Sequence, residues 1–327
     1  MLPFENKKRT VIEKIKAETS DKFGKRPEER TPEELIQTGI VNVDKPEGPS
    51  SHEVSAYVQK ILHLKKAGHS GTLDPGVTGV LPVALARSTK IVQILLPAGK
   101  EYICVMHVHA DLPEGKIRDT IKNFVGKITQ LPPVRSAIKR VHRERNIYYA
   151  DILEIEGRDV LMKVGCEAGT YIRKLCHDIG VQLGVGANMA ELRRTKAGPF
   201  DETSLSTLHD LIDAYWFWKN ENNDKLLRKV IQPMENATKH LPKIWIMDTT
   251  VDSLAHGATL NLPGIAKFES GIEKDDFVAV MTLKGELVCY GKSHMTSDEM
   301  KDKEKGIAVT ILRVFIEPGI YPKMPKK

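Results

Sequence analysis

Apolar residues along this chain recur at two different periods. Val54, Tyr57, Val58, Ile61 and Leu62 sit three or four positions apart, which predicts an amphipathic helix. Ser50 and Glu53 stand at capping-box spacing ahead of it. Strands are predicted at Ile40–Val43, at Leu81–Leu85 and, by clear alternation, at Tyr102–His109. Lys90–Leu96 reads as a short helix. Ile117, Ile121, Phe124 and Val125 mark another helix, which Gly126 stops. Ile147–Ile155 and Val160–Cys166 read as paired strands. Thr170 is placed to cap a helix carrying Ile172, Leu175, Cys176 and Ile179. Met189–Lys196 reads as a strand and Leu205–Trp218 as a helix. Strands and helices mix without a regular βαβ repeat, so the fold class is α+β, with a mixed, largely antiparallel sheet.

Past Pro233–Pro242 the texture changes to short strands and turns. Phe277–Leu283 and Leu287–Tyr290 flank a turn with Lys284 and Gly285, and Gly306–Phe315 is one more apolar strand. A small β-barrel over about residues 240–322 is expected. Residues 1–30 are too charged to build a core, so they are either disordered or laid across another domain. The domain reading is an extension over 1–37, a larger domain over 38–239 and the small barrel over 240–327.

Composition adds bounds. Of 327 residues, 41% are hydrophobic and 28% charged, as in globular proteins. No stretch approaches the roughly 18 apolar residues of a membrane span. Met1–Arg30 lacks an apolar signal core, and the four cysteines form no Cys-x-x-Cys pair. An intracellular chain with reduced thiols, no metal and no cofactor is expected. Net charge is +6, and its distribution says more than its size. Arg135, Lys139, Arg140, Arg143 and Arg145 share eleven positions with one acid, Glu144. This is either a solvated surface loop or a flexible arm that binds phosphates. Lys65 and Lys66 follow the first helix and either complement its C-terminus or touch RNA.

The chemistry concentrates in one stretch. Gly68-His69-Ser70-Gly71-Thr72-Leu73-Asp74-Pro75-Gly76-Val77-Thr78-Gly79-Val80-Leu81 surrounds a single carboxylate, Asp74, with four glycines and a proline. Such a loop holds one acid rigidly with little side-chain bulk around it. Taken alone, Leu73-Asp74-Pro75 is an ordinary turn. A phosphate loop is set aside, because Val77 stands where its lysine belongs.

The whole stretch resembles the signature of TruB-type pseudouridine synthases. The resemblance continues through Asn42–Ser51, Lys100-Glu101-Tyr102, Gly169-Thr170-Tyr171-Ile172-Arg173, Leu192-Arg193-Arg194 and Gly198-Pro199-Phe200. Gly76 and the run Arg87-Ser88-Thr89-Lys90 depart from the commoner family residues. The basic N-terminus and the downstream region are most similar to the archaeal and eukaryotic branch, called dyskerin in animals. The C-terminal stretch resembles a PUA domain, with Gly257 and Gly264 where that domain contacts RNA.

This resemblance implies isomerisation of uridine to pseudouridine in RNA. Asp74 would be the essential acid, either attacking C1′ or removing the 2′ proton. Arg173 would be its partner, and Tyr102 would stack on the base and help with the C5 proton. His69, Tyr171 and Leu192 would line the pocket, with Lys45 and Pro46 supporting the loop. The basic arm would be a thumb loop closing over RNA. Guided action would involve an H/ACA guide RNA, substrate rRNA or tRNA, and small partner proteins. Those partners would be of zinc-ribbon, glycine-arginine and kink-turn-binding types. A stand-alone tRNA synthase and a non-catalytic RNA scaffold are the competing readings. An archaeal-like cytoplasmic location is expected, because no long lysine-rich tail is present.

Overall fold

The computed structural model describes residues 1–132 and 139–323. Arg135 lies outside the described residues. The alternating run at the centre of the sequence becomes the strand Lys100–Val108. Its even positions, Tyr102, Cys104, Met106 and Val108, all turn into one apolar core. Ala187–Ala197 pairs with one edge of this strand and Asp159–Cys166 with the other, both antiparallel. The sheet extends through Arg143–Glu156 to Gly126–Gln130 on one side. On the other it runs through Thr78–Leu85 and Gly39–Lys45 to Ile231–Pro233. Among the described residues, the contact of Thr78–Leu85 with Ala187–Ala197 is its one parallel strand pairing. It is short, Thr78 facing Arg193 and Gly79 facing Arg194.

The helix Ser51–Ile61 carries the predicted capping box, Ser50 with Glu53. Two differences from the sequence reading have identifiable structural causes. Thr170 does not cap the helix Ile172–Leu183, because its hydroxyl donates backwards to the Glu167 carbonyl at 2.7 Å. The buried Gln130 amide takes over, accepting from Tyr171 N–H at 3.0 Å and donating to Tyr171 C=O at 3.1 Å. Arg143 and Arg145 belong to the strand Arg143–Glu156, where they face Gln130 and Ile128. Of the predicted basic arm, only Lys139 and Arg140 are described outside that strand.

A second sheet forms the C-terminal unit, in the strand order Val11–Glu13, Ile265–Glu269, Lys243–Ile246, Phe277–Thr282, Leu287–Ser293, Ile307–Val314 and Leu260–Asn261. The first of these comes from the charged N-terminus, which adds an edge strand here. The same extension reaches the larger sheet, where Lys196 meets Glu5 at 2.8 Å. It is also stapled by Arg30, which makes two bonds to Glu235 at 2.8 and 2.7 Å. Glu235 in turn accepts from Leu287 N–H of the C-terminal sheet at 3.0 Å.

Candidate active site

Asp74 sits on the exposed connection between Ala67–His69 and Thr78–Leu85. Its backbone is held on both sides. Before it, the fully buried Ser51 hydroxyl accepts from Leu73 N–H at 2.8 Å and donates to Leu73 C=O at 3.1 Å. After it, the Lys45 ammonium, 0% exposed, donates to Pro46, Pro75 and Val77 carbonyls at 2.9, 3.0 and 2.8 Å. Burial holds Lys45 below its ordinary pKa, while the nearby Asp74 charge opposes the shift. The expected supporting role of Lys45 is what the geometry gives it.

Arg173, on the first turn of Ile172–Leu183, meets Asp74 with its guanidinium 2.9 Å from Oδ2. Both side chains remain about half exposed, at 58% and 53%. An ion pair so placed contributes little to stability. Its strength would rise once a ligand excludes water from it.

Tyr102 lies beneath, 8% exposed. Burial raises its pKa, although Arg194 close by pulls the other way, so it is a neutral phenol at physiological pH. His69 accepts from Gly71 N–H at Nδ1, 3.4 Å away, which leaves its proton on Nε2. Burial, His52 and Arg194 bring its pKa down to about 4. The His52 ring meets it edge-on at 4.9 Å. Leu192 is half-buried and packs against the core under Tyr102 and Cys104. Tyr171 immediately precedes the Arg173 helix as its N-cap residue. Asp74 and Arg173 thus meet directly, with Tyr102, Leu192, His69 and Tyr171 on the elements that frame them.

The remaining candidates lie elsewhere. Lys65 and Lys66 are exposed at the end of the Ser51–Ile61 helix. Arg145 lies 3.8 Å from Glu167 and packs over Gly169, and Arg143 sits beside it on the strand. Gly257 and Gly264 are in the C-terminal unit, Gly257 beside open space and Gly264 against Thr250. A cleft of about 940 Å³ opens beside Arg173, between its helix and the base of the basic arm. Phe124, Leu131, Pro132 and Met189 give it apolar walls, and Arg140, His142, Lys174 and His177 give it basic ones. Among the described residues, no group of three or more His, Cys, Asp or Glu side chains could hold a metal.

Two buried cations escaped assignment from sequence. Arg194, 1% exposed, faces Tyr102 across the strands and donates to Val80 C=O at 2.7 Å and Gly71 C=O at 3.1 Å. Lys100, 5% exposed, donates to the Leu95, Leu96 and Ala98 carbonyls at 3.0, 3.1 and 2.6 Å. Burial, with Arg194 close by, lowers Lys100 to about 7. A signal for Arg194 existed. Strand alternation puts it on the Leu192 face and sends its neighbour Arg193 to Asp44 and Glu202 on the other. Gly79 permits this arrangement, since a Cβ there would stand 2.2 Å from Arg194 C=O.

Comparison with known proteins matches this architecture along its length. Family models match as a TruB family pseudouridylate synthase N-terminal domain at 59–114 and 109–172, and as a tRNA pseudouridylate synthase B C-terminal domain at 173–239. The protein from Pyrococcus horikoshii, named probable tRNA pseudouridine synthase B, is 58% identical over 99% of this chain and 97% of its own. The chain belongs to the TruB family of pseudouridine synthases. It is therefore an isomerase acting on RNA. The synthase also carries a DKCLD domain match at 2–55 and a PUA domain match at 242–315. The Thermococcus kodakarensis relative of the same name is 58% identical, over 100% of this chain and 97% of its own. A solved Cbf5-Nop10-Gar1 complex contains a chain 57% identical, with a TM-score of 0.94, covering 99% of this synthase and 98% of that chain. A solved H/ACA RNP bound to a substrate RNA containing 2′-deoxyuridine contains one 55% identical, with a TM-score of 0.93, covering 99% and 100%. No described helix of this synthase is long and apolar enough to cross a membrane.

Proposed function

We propose that this synthase isomerises uridines chosen by an H/ACA guide RNA, within a particle that includes small partner proteins. One observation carries the reading. The chain matches over nearly its whole length, extension and PUA domain included, chains solved within a Cbf5-Nop10-Gar1 complex and an H/ACA RNP. Target rRNA is the leading substrate and tRNA the second. Partners are a guide RNA, Nop10- and Gar1-like proteins and a kink-turn-binding protein. The setting is archaeal-like and cytoplasmic. The working division of the chain is 1–37, 38–239 and 240–327, which the family matches support in outline.

The target nucleotide flips out of its strand to reach Asp74. Asp74 then attacks C1′ or removes the 2′ proton, and the N1–C1′ bond breaks. The freed uracil anion turns until C5 faces C1′ and bonds to it as the Asp74–C1′ bond breaks, or, on the other route, as Asp74 returns the 2′ proton. C5 then loses its proton and N1, no longer joined to the sugar, gains one. Arg173 aims the Asp74 carboxylate through their 2.9 Å contact. Tyr102 is the stacking floor and relays the C5 proton, its oxygen accepting that proton while its own O–H proton is passed on, so that the phenol is neutral before and after. Leu192 and Tyr171 are apolar walls, and His69 presents Nε2–H to the flipped base. Lys65, Lys66, Arg135, Lys139, Arg140, Arg143 and Arg145 contact RNA phosphates, and Gly257 and Gly264 lie where the PUA domain grips the guide. Asp74→Asn keeps shape and removes charge, so product is lost while RNA affinity stays within a few-fold. Wild-type product from Asp74→Asn would sink the catalytic assignment.

The relatives' name, tRNA pseudouridine synthase B, supports a second reading as a stand-alone tRNA enzyme. Pseudouridine formation assayed with and without guide and partner proteins separates the two. Product only with the guide supports the first reading; equal yield on bare tRNA transcript supports the second.

A further inference from the structure

An excess of positive charge collects where the N-terminal extension, the interdomain linker and the C-terminal sheet meet. Arg9 comes from the extension, just before Val11–Glu13 joins the sheet. Its Nη2 donates to His240 C=O at 3.4 Å, and its Nε is buried without a hydrogen-bond acceptor among the described residues. Lys239 is exposed at the end of the turn Met234–Thr238. Lys243 begins the strand Lys243–Ile246 and is partly buried. Neither ammonium has a hydrogen-bond or ion-pair partner among the described residues. Burial, Arg9 and Lys239 together hold the Lys243 ammonium below its ordinary pKa, against the pull of Glu269. Glu269 is the one carboxylate in this group, and an oxygen of it is already engaged by the Lys243 backbone N–H at 3.0 Å.

Three cations around one occupied carboxylate repel one another and leave donors idle. Burying part of a guanidinium in that setting is unfavourable unless an anion joins it. A phosphodiester supplies the missing charge and acceptors, and an arginine fork suits it well. We propose that Arg9, Lys239 and Lys243 form a binding site for the phosphate backbone of RNA. The site differs from the glycine-marked end of the PUA domain. Gly264 C=O accepts from Met247 N–H just past the far end of the Lys243–Ile246 strand, about 13 Å from Lys243 at the usual rise per residue. RNA held at both places would lie along the C-terminal unit toward the catalytic sheet. The proposal rests on the synthase being an RNA-guided enzyme.

The test uses the full chain and reads how RNA affinity depends on salt. Each phosphate contact adds about 0.9 to the slope of log K against log salt for a duplex, and about 0.7 for a single strand. Arg9→Gln and Lys239→Gln should each lower the slope by that amount, and the double variant by about twice as much. Lys239→Arg should keep the wild-type slope. Because Lys239 is exposed, Lys239→Gln should leave the melting temperature unchanged, which separates lost contact from lost fold. An H/ACA guide RNA alone and a target strand alone form two arms, and the arm whose slope falls identifies which RNA occupies the site. Wild-type slopes in both arms for both variants would overturn the site while leaving the guided reading intact. Failure of the wild-type chain to bind the guide at all would overturn both.

Discussion

Ser51 is the perturbation that best tests how the catalytic loop is held. Ser51→Ala removes one hydroxyl and adds no bulk. Two hydrogen bonds disappear, Leu73 N–H to Ser51 Oγ at 2.8 Å and Ser51 Oγ to Leu73 C=O at 3.1 Å. Both Ser51 and Leu73 are buried, at 0% and 4% exposure. Leaving a buried donor or acceptor unmet costs about 1–3 kcal/mol per group. The expected loss of unfolding free energy is therefore about 2–6 kcal/mol, less if the loop relaxes. Relaxation would move Asp74, since Lys45 anchors only Pro75 and Val77 beyond it. A shift near 1 Å from the productive geometry costs roughly 100-fold in rate. Stability and activity should thus trade against each other: a loop that stays put loses stability, and a loop that gives way loses rate. Denaturant unfolding measures the first. Single-turnover pseudouridine formation at saturating RNA measures the second. A Ser51→Ala protein with both wild-type stability and wild-type rate would refute the argument that these two bonds position Asp74.

Other consequences follow from the same geometry. Lys100 is lowered to about 7, far below the roughly 10.4 of a free lysine. Between those values the unfolded chain holds a proton that the folded one lacks, so stability should rise with pH from about 7 toward 10. Unfolding free energies at pH 7 and 9 should show a rise that Lys100→Met flattens; an equal rise in the variant would assign it to other groups. Gly79→Ala should abolish correct assembly of the site. Its φ of 101° disfavours a side chain, and the new Cβ would stand 2.2 Å from Arg194 C=O. Expression as a folded, fully active enzyme would contradict that.

The chain's own pattern determined a good deal. Alternation set the Lys100–Val108 strand, because a half-buried strand must repeat every two residues. Helical spacing with Ser50 and Glu53 set Ser51–Ile61, because a cap is a local bond between near neighbours. Asp74 stood out for a similarly local reason, the glycines and proline around it. Pairings distant in sequence were decided only in three dimensions. Asp74 and Arg173 are brought together by the sheet order, and nothing in either segment alone encodes a 2.9 Å contact. Thr170 had the right chemistry for a cap, yet Gln130 from another strand took over its helix's first N–H. The burial of Lys45, Lys100 and Arg194 is not legible in the linear chain. Their burial depends on carbonyls that converge only after the loops close, Pro75 and Val77 for Lys45, Leu95 to Ala98 for Lys100, Gly71 and Val80 for Arg194. Local sequence sets which bonds a residue can make with its neighbours. Tertiary structure decides which groups lose their water, and so which charges must find partners inside the protein.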